Sequence, residues 1–206
     1  MRACDAQVVR RPLLITAGAL LLVVVLVVGL RQAGEDRGEA EPGTAMSREE
    51  VLEPLQPPPP VPPRLAALHA QGSELIPGAL PVYEEKLREL RGFPVVVNLW
   101  ASWCGPCRFE LPFIQEVSSE MGREIAFLGV DVGDNREDAE KTAAEFFMPY
   151  PSIEDPRTKI RAELGTQGLP ATAFYTADGK LEYLHQGAYT SADKLREDIE
   201  RYAVNG

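Results

Sequence analysis

The sequence predicts an α/β domain, a mixed β-sheet flanked by helices, preceded by one transmembrane helix. Three observations carry this. Val95-Val96-Val97-Asn98-Leu99-Trp100 and Ile125-Ala126-Phe127-Leu128-Gly129-Val130-Asp131-Val132 are apolar, β-branched runs of the kind buried on both faces of a sheet. The segment between them, about 104–121, reads as a helix, so the three form a β-α-β unit that is right-handed by rule. Ala171-Thr172-Ala173-Phe174-Tyr175-Thr176 and the run from Lys180 to His185, joined by Ala177-Asp178-Gly179, read as a hairpin.

The remaining elements fill in the alternation. Leu80, Tyr83, Leu87 and Leu90, spaced three and four apart, predict an amphipathic helix over 79–91 stopped by Gly92. Pro112 predicts a kink inside the 104–121 helix. Helices at about 136–147, 157–164 and 191–203, with a short strand near 150–154, complete a pattern that places helices on both faces of the sheet.

At 206 residues the chain has room for one ordinary domain and an appendage. A content of 45% hydrophobic and 25% charged residues is that of a globular protein. The net charge of −10 is unevenly spread: Arg2, Arg10, Arg11 and Arg31 against Asp5 leave residues 1–31 at +3 and the rest at −13. So acidic a remainder argues against nucleic acid as a partner, because phosphate neutralisation needs clustered Lys and Arg.

The appendage is amino-terminal. Pro12 to Leu30 are 19 residues without a charged side chain, and a helix of that length rises roughly 28 Å, close to the bilayer's hydrocarbon thickness. A cleaved signal peptide is the alternative, but its apolar core is shorter and is followed by a small-x-small site, whereas the exit here reads Leu30-Arg31-Gln32-Ala33. Arg2, Arg10 and Arg11 before the span set its orientation, since basic residues near a span stay in the cytoplasm. The expected organisation is a cytoplasmic tail at 1–11, an anchor at 12–30, a proline-rich spacer at 31–64 and a domain at 65–206 on the periplasmic side. Residues 54–63 hold seven prolines and favour semi-rigid polyproline II; a ligand for a proline-recognising module is the rival reading. Cys4 would face the reducing cytoplasm as an idle thiol or an acylation site.

Of three cysteines, Cys104 and Cys107 alone are close enough in sequence to suggest a pair. They stand where a buried strand meets the first turn of a helix, and the unpaired N–H groups and positive dipole end there favour a thiolate on Cys104. Cys104 is then the nucleophile that forms a mixed disulfide with a substrate, and Cys107 resolves it. Pro106 is tolerated in a first helical turn and limits the ring's freedom. Trp100 and Trp103 are expected to shield the pair. Half a zinc site would need a second ligand pair, and His69 and His185 each lack a neighbouring Cys or His. A purely structural disulfide so tight would restrain the unfolded chain little.

The run from Val95 to Pro112, containing Trp103-Cys104-Gly105-Pro106-Cys107, resembles the TlpA/ResA/CcmG-like branch of the thioredoxin superfamily, and the likeness extends through most of residues 80–206. It implies a thioredoxin-like fold in which the long stretch from Arg123 to Glu163 holds the extra helix and strand of that branch. It makes Gly168-Leu169-Pro170-Ala171-Thr172 the cis-proline loop, and Trp103, Gly105, Pro106, Leu169 and Pro170 the substrate-facing set. Asn98 stands where thioredoxin has a buried, titrating Asp. Glu110 stands where the branch carries an acid near the cysteines, able to relay the Cys107 proton; the other reading is a solvated residue on an early helical turn. Residues 65–92 depart from the family's usual amino-terminal hairpin.

The resemblance implies an extracytoplasmic thiol:disulfide oxidoreductase with no cofactor beyond its redox-active disulfide and no metal. Its clients would be disulfide-containing proteins such as apocytochrome c during cytochrome c maturation, and its electrons would come from a membrane thiol transporter of the CcdA or DsbD type. Gly-Pro between the cysteines resembles thioredoxin, a reductant near about −270 mV, more than DsbA near about −120 mV. A general envelope disulfide oxidant or isomerase and a copper- or haem-handling binding protein are the alternatives; a peroxiredoxin is disfavoured because Ser102-Trp103-Cys104 lacks its Thr-x-x-Cys pattern.

Overall fold

A computed structural model describes residues 43–56, 58 and 60–206. The segment read as an anchor, and Cys4, lie outside the described residues, among which no helix is long and apolar enough to cross a membrane.

Strand β1 is Leu75–Ile76, β2 Val95–Trp100, β3 Ala126–Val132, β4 Ser152–Asp155, β5 Ala171–Tyr175 and β6 Leu181–Gln186. They form a sheet in the order β1-β4-β3-β2-β5-β6. The first four are mutually parallel; β5 runs antiparallel to β2, and β6 antiparallel to β5. The mixed sheet read from the sequence is therefore present, with one strand more: two residues of β1 are too short to leave a periodic signal.

Helices α1 (Arg48–Leu52), α2 (Pro63–Ala70), α3 (Ala79–Glu89), α4 (Gly105–Met121), α5 (Arg136–Glu145), α6 (Lys159–Leu164) and α7 (Ala192–Asp198) surround the sheet, and α7 continues as a π-helical turn over Ile199–Val204. Every residue of β2 and β3 is buried, and their alternation splits the core in two. Val96, Trp100, Phe127 and Phe174 face α4, α5 and α7 together with both cysteines. Val95, Val97, Leu99, Leu128 and Val130 face α2, α3 and α6. Asn98, in step with Val96 and Trp100, is placed on the α4 face.

Trp100 is fully buried rather than a surface shield for the cysteines. Its indole N–H donates to Ser152 Oγ on β4 at 3.1 Å. Gly129 on the intervening β3 makes that reach possible, because a Cβ there would lie 2.0 Å from Ser152 Oγ and 3.1 Å from the indole nitrogen.

Local chemistry sets the helix ends. Asp155 accepts from the amides of Lys159, Ile160 and Arg161 at 2.7, 2.9 and 3.1 Å, so α6 starts two residues later than its sequence pattern suggests. Helix α5 stops at Glu145 because Phe146 and Phe147 turn inward. Helix α4 runs unbroken through Pro112 to Met121, Pro112 itself being buried.

The stretch read as spacer differs most from its expectation. Ser47 and Glu50 form a capping box that starts α1. Val51 and, in the 3-10 turn that follows, Leu55 are buried against α4. Gln115 of α4 exchanges hydrogen bonds with the Met46 amide and carbonyl at 3.1 and 3.3 Å, and Ser119 Oγ donates to the Val51 carbonyl at 2.7 Å. A five-residue helix holds itself together poorly in water, so two apolar side chains among charges give no readable period; packing on α4 decides the structure. Helix α2 likewise begins at Pro63, inside the stretch read as spacer, and buries Leu65 and Leu68.

Replacing Val51 by Ala removes two buried carbons and should lower stability by about 2 kcal/mol, read as an earlier urea midpoint at unchanged slope. A midpoint unaffected by the change would mean this segment is a tether and no part of the fold.

Candidate active site

Strand β2 ends at the carboxyl edge of the sheet and hands the chain to α4 within four residues. Asp134, just after β3 at the same edge, holds that crossing: its carboxylate accepts from the Ser102 amide at 2.5 Å and from Ser102 Oγ at 2.8 Å. The Trp103 indole N–H donates to the Gly133 carbonyl at 3.2 Å, yet its ring is 62% exposed. Trp103 is therefore a largely exposed apolar surface next to Cys104 in the chain.

Cys104 is the N-cap of α4, and Cys104 and Cys107 are joined in a disulfide with Cα atoms 5.2 Å apart. The Cys107 amide donates to Cys104 Sγ at 3.2 Å, so a free helix N–H already points at this sulfur. Cys104 retains 5% exposure and Cys107 none. Gly105 and Pro106 are exposed. The Leu169–Pro170 peptide bond is cis, and Leu169 packs against the core cluster that contains both cysteines. Trp103, Gly105 and Pro106 flank the disulfide in the chain, and the pairing of Ala171 with Leu99 brings half-buried Leu169 and buried Pro170 to the same end of the sheet.

Glu110, one turn beyond Cys107 on α4, has no exposed surface. Asn98 Nδ2 donates to its Oε1 at 2.7 Å and the Tyr189 amide donates to its Oε2 at 2.9 Å. Burial pushes its carboxyl up from 4.5 to about 8, against the two donors, which favour the charged form. The reading of Glu110 as a solvated residue is set aside by this burial. Tyr150 is fully buried close by, its hydroxyl held above its usual range by burial and then by Glu110.

Two holding groups escaped the sequence reading. Tyr189 lies 79 residues from Glu110 and contributes a backbone amide, which no side-chain pattern reports. Asp134 had a usable signal: functional groups of α/β sheets gather at the carboxyl ends of adjacent strands, and Gly133-Asp134 follows β3 where Ser102-Trp103 follows β2. Asp131, on β3 opposite Trp100, is also raised to about 8, by burial first and by Asp134 next. His69 sits on α2, and His185 on β6 3.8 Å from Asp198.

A disulfide with one edge-exposed sulfur at a helix amino terminus, a buried carboxyl one turn behind it and a cis-proline loop alongside, all on a mixed sheet of this order, define a thiol:disulfide oxidoreductase of thioredoxin-like fold. Residues 83–199 match the Redoxin family, and the chain belongs to it. It is 32% identical over 120 residues to the thiol-disulfide oxidoreductase ResA of Geobacillus thermodenitrificans, covering 57% of this chain and 67% of that protein. It is 31% identical over 140 residues to the thiol:disulfide interchange protein CycY of Rhizobium leguminosarum, covering 65% and 73%. The crystal structure of a DsbF homologue from Corynebacterium diphtheriae superposes with a TM-score of 0.51 at 28% identity, over 56% of this chain and 75% of that one.

Because the folded-state pKa of Glu110 is raised, the native state holds this proton more tightly than the unfolded chain. Its contribution to stability is fully present below pH 4.5 and is lost as pH rises through about 8. Oxidised Glu110→Gln protein should therefore lose less stability than its parent between about pH 5 and 8, the difference approaching about 1.4 kcal/mol per pH unit. Asp131 titrates in both proteins and cancels. Parallel denaturation profiles would show that Glu110 ionises as an ordinary carboxylate.

Proposed function

We propose that the chain is an extracytoplasmic, membrane-anchored protein-disulfide reductase, held by residues 12–30 with its tail inside and its cysteines outside. The observation that carries the catalytic reading is Glu110: a buried acid near neutral pKa, one helical turn from the resolving cysteine, suits proton transfer at physiological pH.

In its reduced form the Cys104 thiolate, favoured by the Cys107 amide and the α4 dipole, attacks one sulfur of a client disulfide. The client S–S bond breaks and a Cys104–client disulfide forms, with the client's other sulfur leaving as a thiolate that takes a proton from solvent. Glu110, in its ionised form, then accepts the Cys107 proton, and the resulting thiolate attacks Cys104 Sγ. The Cys104–Cys107 disulfide closes, the second client sulfur leaves and is protonated, and two electrons have passed to the client. Exposed Trp103, Gly105 and Pro106, with Leu169 at the same end of the sheet, offer an apolar edge on which an extended client segment can lie.

The relatives named as thiol-disulfide oxidoreductases support this chemistry. Apocytochrome c as client and a CcdA- or DsbD-type transporter as electron donor belong to the proposal, as does the reductive direction, for which the thioredoxin-like Gly105-Pro106 is the argument.

Cys104→Ser should abolish turnover of insulin disulfides, whereas Cys107→Ser should accumulate mixed disulfides visible on a non-reducing gel. Multiple turnover by either variant would sink the assignment. Equilibration of the 65–206 portion is a poor test of potential, since α1 packs on α4; residues 43–206 against a glutathione buffer should poise near about −270 mV, and a value near about −120 mV would make the protein an oxidant.

A further inference from the structure

Glu110 has no contact with solvent, so a proton taken from Cys107 needs a way out. The sheet register supplies a direction. Asn98 on β2 is the Cα partner of Thr172 on β5, and Thr172 is the Cα partner of His185 on β6. Directly paired residues point to the same face, with strands about 4.8 Å apart, so the row from Asn98 to His185 spans about 10 Å. It starts at the residue that donates to Glu110.

Thr172 is fully buried, and among the described residues neither its hydroxyl nor Asn98 Oδ1 has a hydrogen-bond partner. A buried polar atom without a partner destabilises a fold, and valine would fill the same shape without that cost. The hydroxyl is therefore a feature that folding does not require.

The row ends at an open groove. His185 is partly exposed, its ring stacked on Tyr189 with centroids 4.2 Å apart. Its Nδ1 lies 3.8 Å from Asp198 Oδ2, which accepts the Tyr189 hydroxyl at 2.7 Å. A groove of about 350 Å³ opens there, lined also by Thr190, Lys194 and Glu197. Of the charged groups facing the imidazole from α7, Asp198 favours its protonation, but burial outweighs this and holds His185 below the ordinary histidine range. At neutral pH it is a neutral acceptor.

We propose that Thr172 and His185 form the exit for the proton that Glu110 takes from Cys107. The Glu110 carboxyl gives up its proton, the Thr172 hydroxyl, which among the described residues no fixed partner holds in place, accepts it on one lone pair while releasing its own, and His185 receives it and passes it to solvent at the groove. No electrons move in this step; one O–H bond breaks at Glu110 and one N–H bond forms at His185. The inference rests on the proposed role of Glu110, and Tyr189, whose amide fixes Glu110 while its ring supports His185, joins the two ends.

The test uses the reduced full-length chain carrying Cys4→Ser, mixed with 5,5′-dithiobis(2-nitrobenzoate). A first release of thionitrobenzoate reports attack by Cys104, and a second reports resolution by Cys107. Thr172→Val and His185→Ala should each slow the second phase at pH 7 by roughly tenfold or more and leave the first unchanged. Imidazole added to the buffer should restore His185→Ala and leave Thr172→Val slow, while Thr172→Val should also raise the denaturation midpoint. A second phase that depends on Glu110 but is indifferent to Thr172→Val and His185→Ala would overturn the exit, as would a slow His185→Ala that imidazole cannot restore, since His185 would then merely prop Tyr189. A second phase indifferent to Glu110→Gln would instead remove the proton-relay reading on which the exit rests.

Discussion

A carboxyl group sealed from water has to be placed by its neighbours, and the clamp on Glu110 is the constraint around which this site is arranged. Its two donors arrive from opposite parts of the chain, the Asn98 amide 12 residues before it and the Tyr189 backbone 79 residues after it. Helix α4 can satisfy both only by lying across β2 with its first turn at the sheet's carboxyl edge, and in that placement Cys104 keeps a small exposed edge and Cys107 none. Desolvation still outweighs the two hydrogen bonds, which leaves a protonatable group one helical turn from Cys107.

The other contacts around α4 hold the same geometry from outside. Asp134 fixes the strand-to-helix crossing through Ser102, so the cysteine loop is tied to β3 as well as β2. Arg108, the residue after Cys107, donates from Nη2 to both carboxylate oxygens of Glu145 at 2.7 and 2.6 Å and from Nη1 to Thr142 Oγ1 at 3.2 Å, and lies 5.2 Å from the Phe146 ring centroid. An exposed ion pair adds little stability by itself, but a ring-backed guanidinium whose two terminal nitrogens reach Glu145 and Thr142 has one preferred orientation, and it ties α5 to the helix that carries the cysteines. The α5–β4 segment therefore bears directly on the helix that carries the cysteines, and α1 with Met46 before it braces the far part of that helix through Gln115 and Ser119.

Much of this was legible in the residues. The runs at 95–100 and 125–132 could be read as doubly buried strands because hydrophobic, β-branched residues without alternation suit no exposed element of that length. The cysteine pair could be placed because Trp-Cys-Gly-Pro-Cys follows such a strand directly and starts a helix. Segments whose structure rests on distant partners were misread or left open. Helix α1 has one buried apolar residue and no period of its own; α6 begins where the Asp155 carboxylate caps it; Trp100 resembles a shield because its sequence neighbourhood is the active loop, while its side chain follows strand alternation into the core.

The sequence by itself determined the element order from α3 onward, the disulfide chemistry at a helix amino terminus and the choice of Asn98 over a titrating residue on β2, because these are set by local periodicity, by capping geometry and by residue type. Tertiary structure alone decided that Glu110 is sealed in the core, that Tyr189 and Asp134 hold the two sides of the site, and that Asn98, Thr172 and His185 stand in one row. Burial and register depend on which strands become neighbours, and a side chain carries no record of a partner 79 positions away.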